Sequence, residues 1–306
     1  NATQGWVPTI DEAVTDAPYT GNEEGIFGFG YMASGSPRYT GLTNLVSNAG
    51  VVATDVAAVG TARYGVAACE YGGDKGIFGF GASAAIGDVT NLVSNAGVVA
   101  SDVTGVGTAR YYLAACSYGS DKGIFAFGNT SPGPNVSMSN LVSNAGVVAS
   151  DVTGVGTARN QLAACEYGED KGIFSFNGNT NLVSNAGVVA TDVTQVGTDR
   201  SSLAACSYGG DKGIFGFGHD GSNSVSMTNL VSNTGVVATD VTGVGTVRYG
   251  VMATQYGGNK GIFGFGGAGG GVYYAMTNLV SNAGVVATDT AGVGTTRDNG
   301  AGCSFN

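Results

Sequence analysis

Apolar residues in this chain fall in short runs broken by Gly, Asn and Asp, and no stretch carries the three-to-four spacing of an amphipathic helix. Short runs bounded by turn signals predict strands. Across 66–103 the pattern gives four of them, at 66–71, 75–81, 91–94 and 98–103. Tyr71-Gly72-Gly73-Asp74 and Asn95-Ala96-Gly97 supply the tight turns, where Gly provides the positive φ that such turns need.

The same unit is written six times. Gly-Ile-Phe followed by a small residue and Phe begins at Gly25, Gly76, Gly123, Gly172, Gly213 and Gly261, with spacings of 51, 47, 49, 41 and 48 residues. Asn-Leu-Val-Ser-Asn follows at Asn44, Asn91, Asn140, Asn181, Asn229 and Asn278, and each copy ends on Gly-Thr-x-Arg. A period of roughly 40 to 50 residues with four strands per unit is the signature of a β-propeller. The expected fold is therefore all-β, a six-bladed β-propeller of four-stranded antiparallel blades.

The ends of the chain point to closure. Ala301-Gly302-Cys303-Ser304-Phe305 aligns with Ala67-Ala68-Cys69-Glu70-Tyr71, a first strand with no second strand after it. The first copy, conversely, starts at the second strand. The C-terminal strand is expected to complete the N-terminal blade, leaving residues 21–306 as the propeller and 1–20 as an arm or linker. Trp6, the only Trp, is expected to anchor that arm.

Arg63-Tyr64-Gly65-Val66-Ala67-Ala68 followed by Gly73-Asp74-Lys75-Gly76-Ile77-Phe78-Gly79-Phe80-Gly81 resembles the kelch repeat. The likeness covers roughly residues 21–306. The second Gly of the kelch pair is mostly absent, and Val98-Val99-Ala100 stands where the family places a Trp. Near-identical tandem copies also resemble structural proteins of bacteriophages and bacteria. That second resemblance implies a virion appendage or a bacterial surface adhesin, located on a virion or outside the cell, with a protein assembly or a cell-surface glycan as partner.

Composition narrows the classes. Gly makes up 55 of 306 residues, about 18% against a usual share of about 7%. With 43% apolar residues this indicates a turn-rich folded protein and not a disordered one. The net charge of −10 argues against nucleic acid as partner, since that affinity rests on Lys and Arg. No apolar run is long enough for membrane insertion, and 1–20 lacks the basic and apolar regions of a signal peptide.

Eleven of the 12 basic residues, all but Arg38, occupy repeat positions. An Asp lies eight residues before each repeat Arg, giving Asp55 and Arg63, Asp102 and Arg110, Asp151 and Arg159, Asp192 and Arg200, Asp240 and Arg248, and Asp289 and Arg297. These are expected to be structural pairs, within a blade junction or to the neighbouring blade, because a catalytic residue is rarely needed six times. Cys69, Cys116, Cys165, Cys206 and Cys303 share one repeat position, with Thr254 in the sixth copy, and are expected to be buried free thiols near the axis. No cofactor or metal is expected: a galactose-oxidase-like copper site needs more than one His, and His219 is the only one. Glu23 and Glu24, an imaginable glycosidase pair, replace turn residues of the repeat and are expected to lie in the seam.

The connection between the second and third strands differs in every copy, at 31–42, 82–89, 129–138, 178–179, 219–227 and 267–276. Loops on a rigid scaffold are the usual place for binding. Tyr31, Arg38, Tyr39, His219, Asp220, Tyr273 and Tyr274 are the candidate contact residues. The reading that follows is a non-enzymatic binding or structural protein. A secreted glycan-binding lectin and a glycoside-processing enzyme are the alternatives.

Overall fold

The computed structural model describes residues 23–35 and 37–305. The expectations about residues 1–20 and Trp6 fall outside it. The described chain is all-β, built from small antiparallel sheets with no helix among the described residues.

Six sheets correspond to the six repeats. Their inner strands are Ala67–Tyr71, Ala114–Tyr118, Ala163–Tyr167, Ala204–Tyr208, Met252–Tyr256 and Ala301–Phe305. Each pairs with a middle strand beginning at the Gly-Ile-Phe block, as Ala67 does with Gly79 and Tyr71 with Lys75. The C-terminal strand obeys the same register against the first middle strand, Glu24–Met32, with Glu24 opposite Phe305 and Gly28 opposite Ala301. The two ends of the chain thus share one sheet, and Glu23 and Glu24 lie at that seam. Each inner strand also packs on the next, and Ala301–Phe305 packs on both Met252–Tyr256 and Ala67–Tyr71.

The expected fourth strand is mostly not a regular strand. In the second copy 98–103 is joined to the third strand, Thr90–Val93, by isolated bridges, Val93 to Val99 and Thr90 to Val103, and by Ala100 N donating to the Leu92 carbonyl at 2.8 Å. Side-chain bonds supplement this sparse ladder: Asn91 Nδ2 donates to the Ala100 carbonyl at 3.0 Å and to Asp102 Oδ1 at 2.9 Å. Only the fourth copy forms a short outer strand, Val193–Thr194.

Middle strands sink their Ile and Phe completely, and the thiols lie between neighbouring sheets. A Cβ at Gly76 would stand 2.6 Å from Cys303 Sγ, so only Gly leaves room for the thiol of the adjacent inner strand. All five cysteines are free and buried, and burial pushes their thiols well up, Cys206 to about 12. Cys69, Cys116, Cys165 and Cys206 stand in the same way against Gly123, Gly172, Gly213 and Gly261 of the neighbouring sheets.

Each repeat Arg is a fully buried clamp. The Arg110 guanidinium stacks 4.3 Å from the centroid of Phe80, on the preceding sheet. Its Nε donates to the Phe127 carbonyl at 2.8 Å and its NH2 to Asn140 Oδ1 at 2.6 Å. All six arginines stack on an equivalent Phe, and each of these phenylalanines has φ between 60° and 75°, a strained region for a bulky residue. The acidic partner is not the Asp eight residues earlier. It is the Asp that leaves the same sheet, as in Arg63 with Asp102 at 3.4 Å and Arg248 with Asp289 at 3.4 Å. Arg297 reaches Asp55 at 3.7 Å, so one pair spans the seam. Arg200 departs, donating to the Met227 carbonyl at 2.8 Å.

Burial pulls the Arg110 pKa down to about 10, which still leaves it charged at neutral pH. Removing such a partner leaves buried acceptors unpaired, at roughly 3–5 kcal/mol. Arg110→Met is expected to lose about that much stability in urea unfolding; a loss under about 1 kcal/mol would show that the clamp is dispensable.

Candidate functional site

Two positions before each inner strand stands an equivalent residue, Gly65, Tyr112, Gln161, Ser202, Gly250 or Asn299, all with φ between 51° and 62°. Their amides form a closed chain of backbone hydrogen bonds. Gly65 N donates to Asn299 O, Tyr112 N to Gly65 O, Gln161 N to Tyr112 O, Ser202 N to Gln161 O, Gly250 N to Ser202 O and Asn299 N to Gly250 O, each at 2.7–2.8 Å. Beneath this ring Val66, Leu113, Leu162 and Leu203 help to line a cavity of about 60 Å³, making an apolar floor.

Above the ring opens a basin of about 330 Å³, lined by Tyr31, Tyr64, Tyr112, Gln161, Ser202, Tyr249, Tyr273, Asp298 and Asn299. Tyrosines form a connected arc: Tyr31 lies 6.5 Å from Tyr273 and 5.3 Å from Tyr64, and Tyr64 lies 6.0 Å from Tyr112. Residues from the variable loops and residues that follow the repeat arginines meet here, so two kinds of connection share one face.

Asp298 is the one carboxyl in this wall. It follows Arg297, at the position held by Tyr64, Tyr111, Asn160, Ser201 and Tyr249 in the other copies. It is only 3% exposed, and its Oδ1 has no hydrogen-bond partner. Burial raises its pKa to about 7, partly opposed by a hydrogen bond with the Asn299 side chain. Burial also raises the hydroxyls of Tyr112, Tyr249 and Tyr273, and Asp298 adds to each shift. The basin therefore holds a carboxyl able to exchange a proton near neutral pH, inside a wall of un-ionised phenols.

Of the seven loop candidates, Tyr31 and Tyr273 line the basin. Tyr39 pairs with Tyr31 across the first sheet, and Arg38 is exposed, its backbone carbonyl accepting from Met32 N at 2.6 Å. Tyr274 lies near Arg248 and outside the lining. Asp220 Oδ1 accepts from Ser222 N and Asn223 N, which shapes its own turn and holds its carboxyl below the usual range. His219 Nδ1 accepts from Gly221 N at 3.1 Å, and its ring stands 6.0 Å from Tyr249. Asp298 was missed because it sits in a repeat position; reading that position down the six copies singles it out as the one acid.

No family model and no curated protein matches the chain. Among solved structures it is similar to a novel fungal alcohol oxidase with catalytic diversity among the AA5 family, in complex with copper. The TM-score is 0.54 and the identity 15%, over 89% of this chain and 63% of that one. The chain thus spans less than two thirds of that protein, and the likeness is one of fold.

That neighbour is an enzyme, and it corrects the expectation of a non-enzymatic virion appendage or surface adhesin. A repeated scaffold leaves room for chemistry where the repeat is broken, and Asp298 is one position that breaks it. Copper, which the neighbour implies, does not fit the residues present. His219 is the only imidazole in the chain, its Nδ1 is engaged in its own loop, and among the described residues no three His, Cys, Asp or Glu side chains come together.

Asp298 also sets a pH dependence. Below about pH 4 the carboxyl is protonated in both states, and as pH rises the unfolded chain releases its proton first. Stability is therefore lost between about pH 4 and the folded value of about 7. At ~1.4 kcal/mol per unit, urea unfolding should show Asp298→Asn gaining roughly 4 kcal/mol on the unsubstituted protein across that window. Parallel stability curves for the two proteins would contradict the placement of Asp298.

Proposed function

We propose that the six sheets are the blades of a six-bladed propeller of kelch-like repeats, and that the basin at its axis is an active site. In this reading the substrate is a neutral, polyhydroxylated molecule of the saccharide class, and Asp298 is the acid that passes a proton to one of its oxygens.

Several features support the propeller. The C-terminal strand pairs with the N-terminal one, the inner strands pack in a cycle that returns to its start, and six backbone hydrogen bonds run head to tail around that cycle. For the chemistry, the observation that carries the reading is Asp298: a buried carboxyl with a free oxygen, held to about pKa 7, at the edge of a basin of ligand size. An acid works best with a pKa near the working pH.

Substrate class follows from the wall. Tyrosine rings present flat apolar surface for the C–H faces of a sugar, and their hydroxyls, with Gln161, Ser202 and Asn299, offer hydrogen bonds to its alcohols. No Lys or Arg lines the basin, which disfavours phosphorylated or sulfated ligands. A single carboxyl also sets the site apart from glycosidases that work with two. The second proton carrier available is a tyrosine hydroxyl.

Screening neutral oligosaccharides for conversion by mass spectrometry, and for thermal stabilisation, tests the proposal. A converted substrate should give a pH–rate profile with an inflection near 7. Asp298→Asn should lower kcat by about a hundredfold or more while retaining the fold and ligand stabilisation. Unchanged turnover and an unchanged profile in that variant would remove Asp298 from the reaction.

A further inference from the structure

At the other end of the inner strands lies a second unrepeated constellation. Side chains alternate along each strand, so the residue after the Cys position faces the axis. Round the six strands that position reads Glu70, Ser117, Glu166, Ser207, Gln255 and Ser304. Long and short side chains alternate strictly. Six long ones could not meet at one point, but three separated by serines can.

All six line one cavity of about 60 Å³, room for roughly two water-sized groups, and no Lys or Arg lines it. The hydrogens of the ring are directed at protein acceptors. Ser117 Oγ donates to the Glu70 carbonyl at 3.4 Å, Ser207 Oγ to the Glu166 carbonyl at 3.2 Å and Ser304 Oγ to Glu70 Oε2 at 2.7 Å. Gln255 Nε2 donates to the Gly258 carbonyl at 2.6 Å. What remains for the cavity is oxygen: two carboxylates, one amide oxygen and the lone pairs of three hydroxyls. The Glu166 carboxyl has no hydrogen-bond partner among the described residues, and both glutamates are half-buried, so the cavity has a mouth.

We propose that this cavity is a binding site for one divalent cation of the Ca²⁺ type, held by Glu70, Glu166 and the Gln255 amide oxygen. Ca²⁺ takes carboxylate, amide and water oxygens together and tolerates irregular geometry. Its charge balances two carboxylates that otherwise repel each other without a countercharge. In the cation-free protein burial, with that repulsion added, pushes Glu166 to about 8, and burial pushes Glu70 to about 7, so protons compete with the ion. The site lies on the far side of the apolar floor from the basin and is independent of the function proposed there.

The test is calorimetric titration of the chelator-treated, full chain with CaCl₂, near pH 9 where both glutamates are ionised, with melting temperature as a second readout. One ion per chain and a rising melting temperature are expected, with binding weakened at least about tenfold near pH 6 by proton competition. Glu166→Gln should weaken Ca²⁺ by about tenfold or more, and Glu70→Gln with Glu166→Gln should abolish the binding and its thermal shift. Both substitutions keep shape and remove repulsion, so each variant should fold and, without Ca²⁺, melt no lower than the parent. No heat and no thermal shift at millimolar CaCl₂, or binding that survives the double substitution, would overturn the site.

Discussion

Six residues in left-handed conformation, joined head to tail by backbone hydrogen bonds of 2.7–2.8 Å, tie the approaches to all six inner strands into one closed ring. Each link needs a neighbour on both sides, so the last repeat must meet the first. That requirement accounts for the division of one sheet between the two ends of the chain, and for the Arg297 to Asp55 pair across the seam. It also brings Tyr64, Tyr112, Gln161, Ser202, Tyr249, Asp298 and Asn299, from distant segments of the chain, to one basin. At five of the six positions before the ring residues no carboxyl appears; at the sixth, Asp298 does.

The buried arginines do a different job. A guanidinium that stacks on Phe of one sheet while donating to Asn and carbonyl oxygens of the next fixes the angle between them. Each Phe accepts a positive φ to present its ring, a local strain that the stacking and full burial offset. The clamp is repeated six times, once at each junction between neighbouring sheets.

Much of this was legible from the chain itself. Six copies, the strand turns, the pairing of the two ends and the burial of the thiols all follow from patterns local to one repeat. The weak outer strand was not legible, because Asn91 and its equivalents supplement a sparse ladder with side-chain hydrogen bonds that a hydrophobic pattern does not record. Nor was the choice of Asp partner: one Asp stands eight residues before each Arg, but the Asp that reaches Arg63 is Asp102, 39 residues further along the chain. The site was half legible. Tyr31 and Tyr273 announced themselves by falling in the stretch of sequence that differs from copy to copy, whereas Asp298 and Glu166 lie inside the regular part and emerge only when one position is compared across six copies. In a repeat protein the informative residue is the one that departs from its own column.

The basin's chemistry depends on Asp298 holding its proton to near neutrality. Carbon-13 NMR of protein labelled only at Asp carboxyls measures this directly, since it leaves Glu70 and Glu166 silent. The account predicts one Asp carboxyl titrating near pH 7 that is absent from Asp298→Asn. A spectrum in which every Asp carboxyl has ionised by about pH 5 would contradict it.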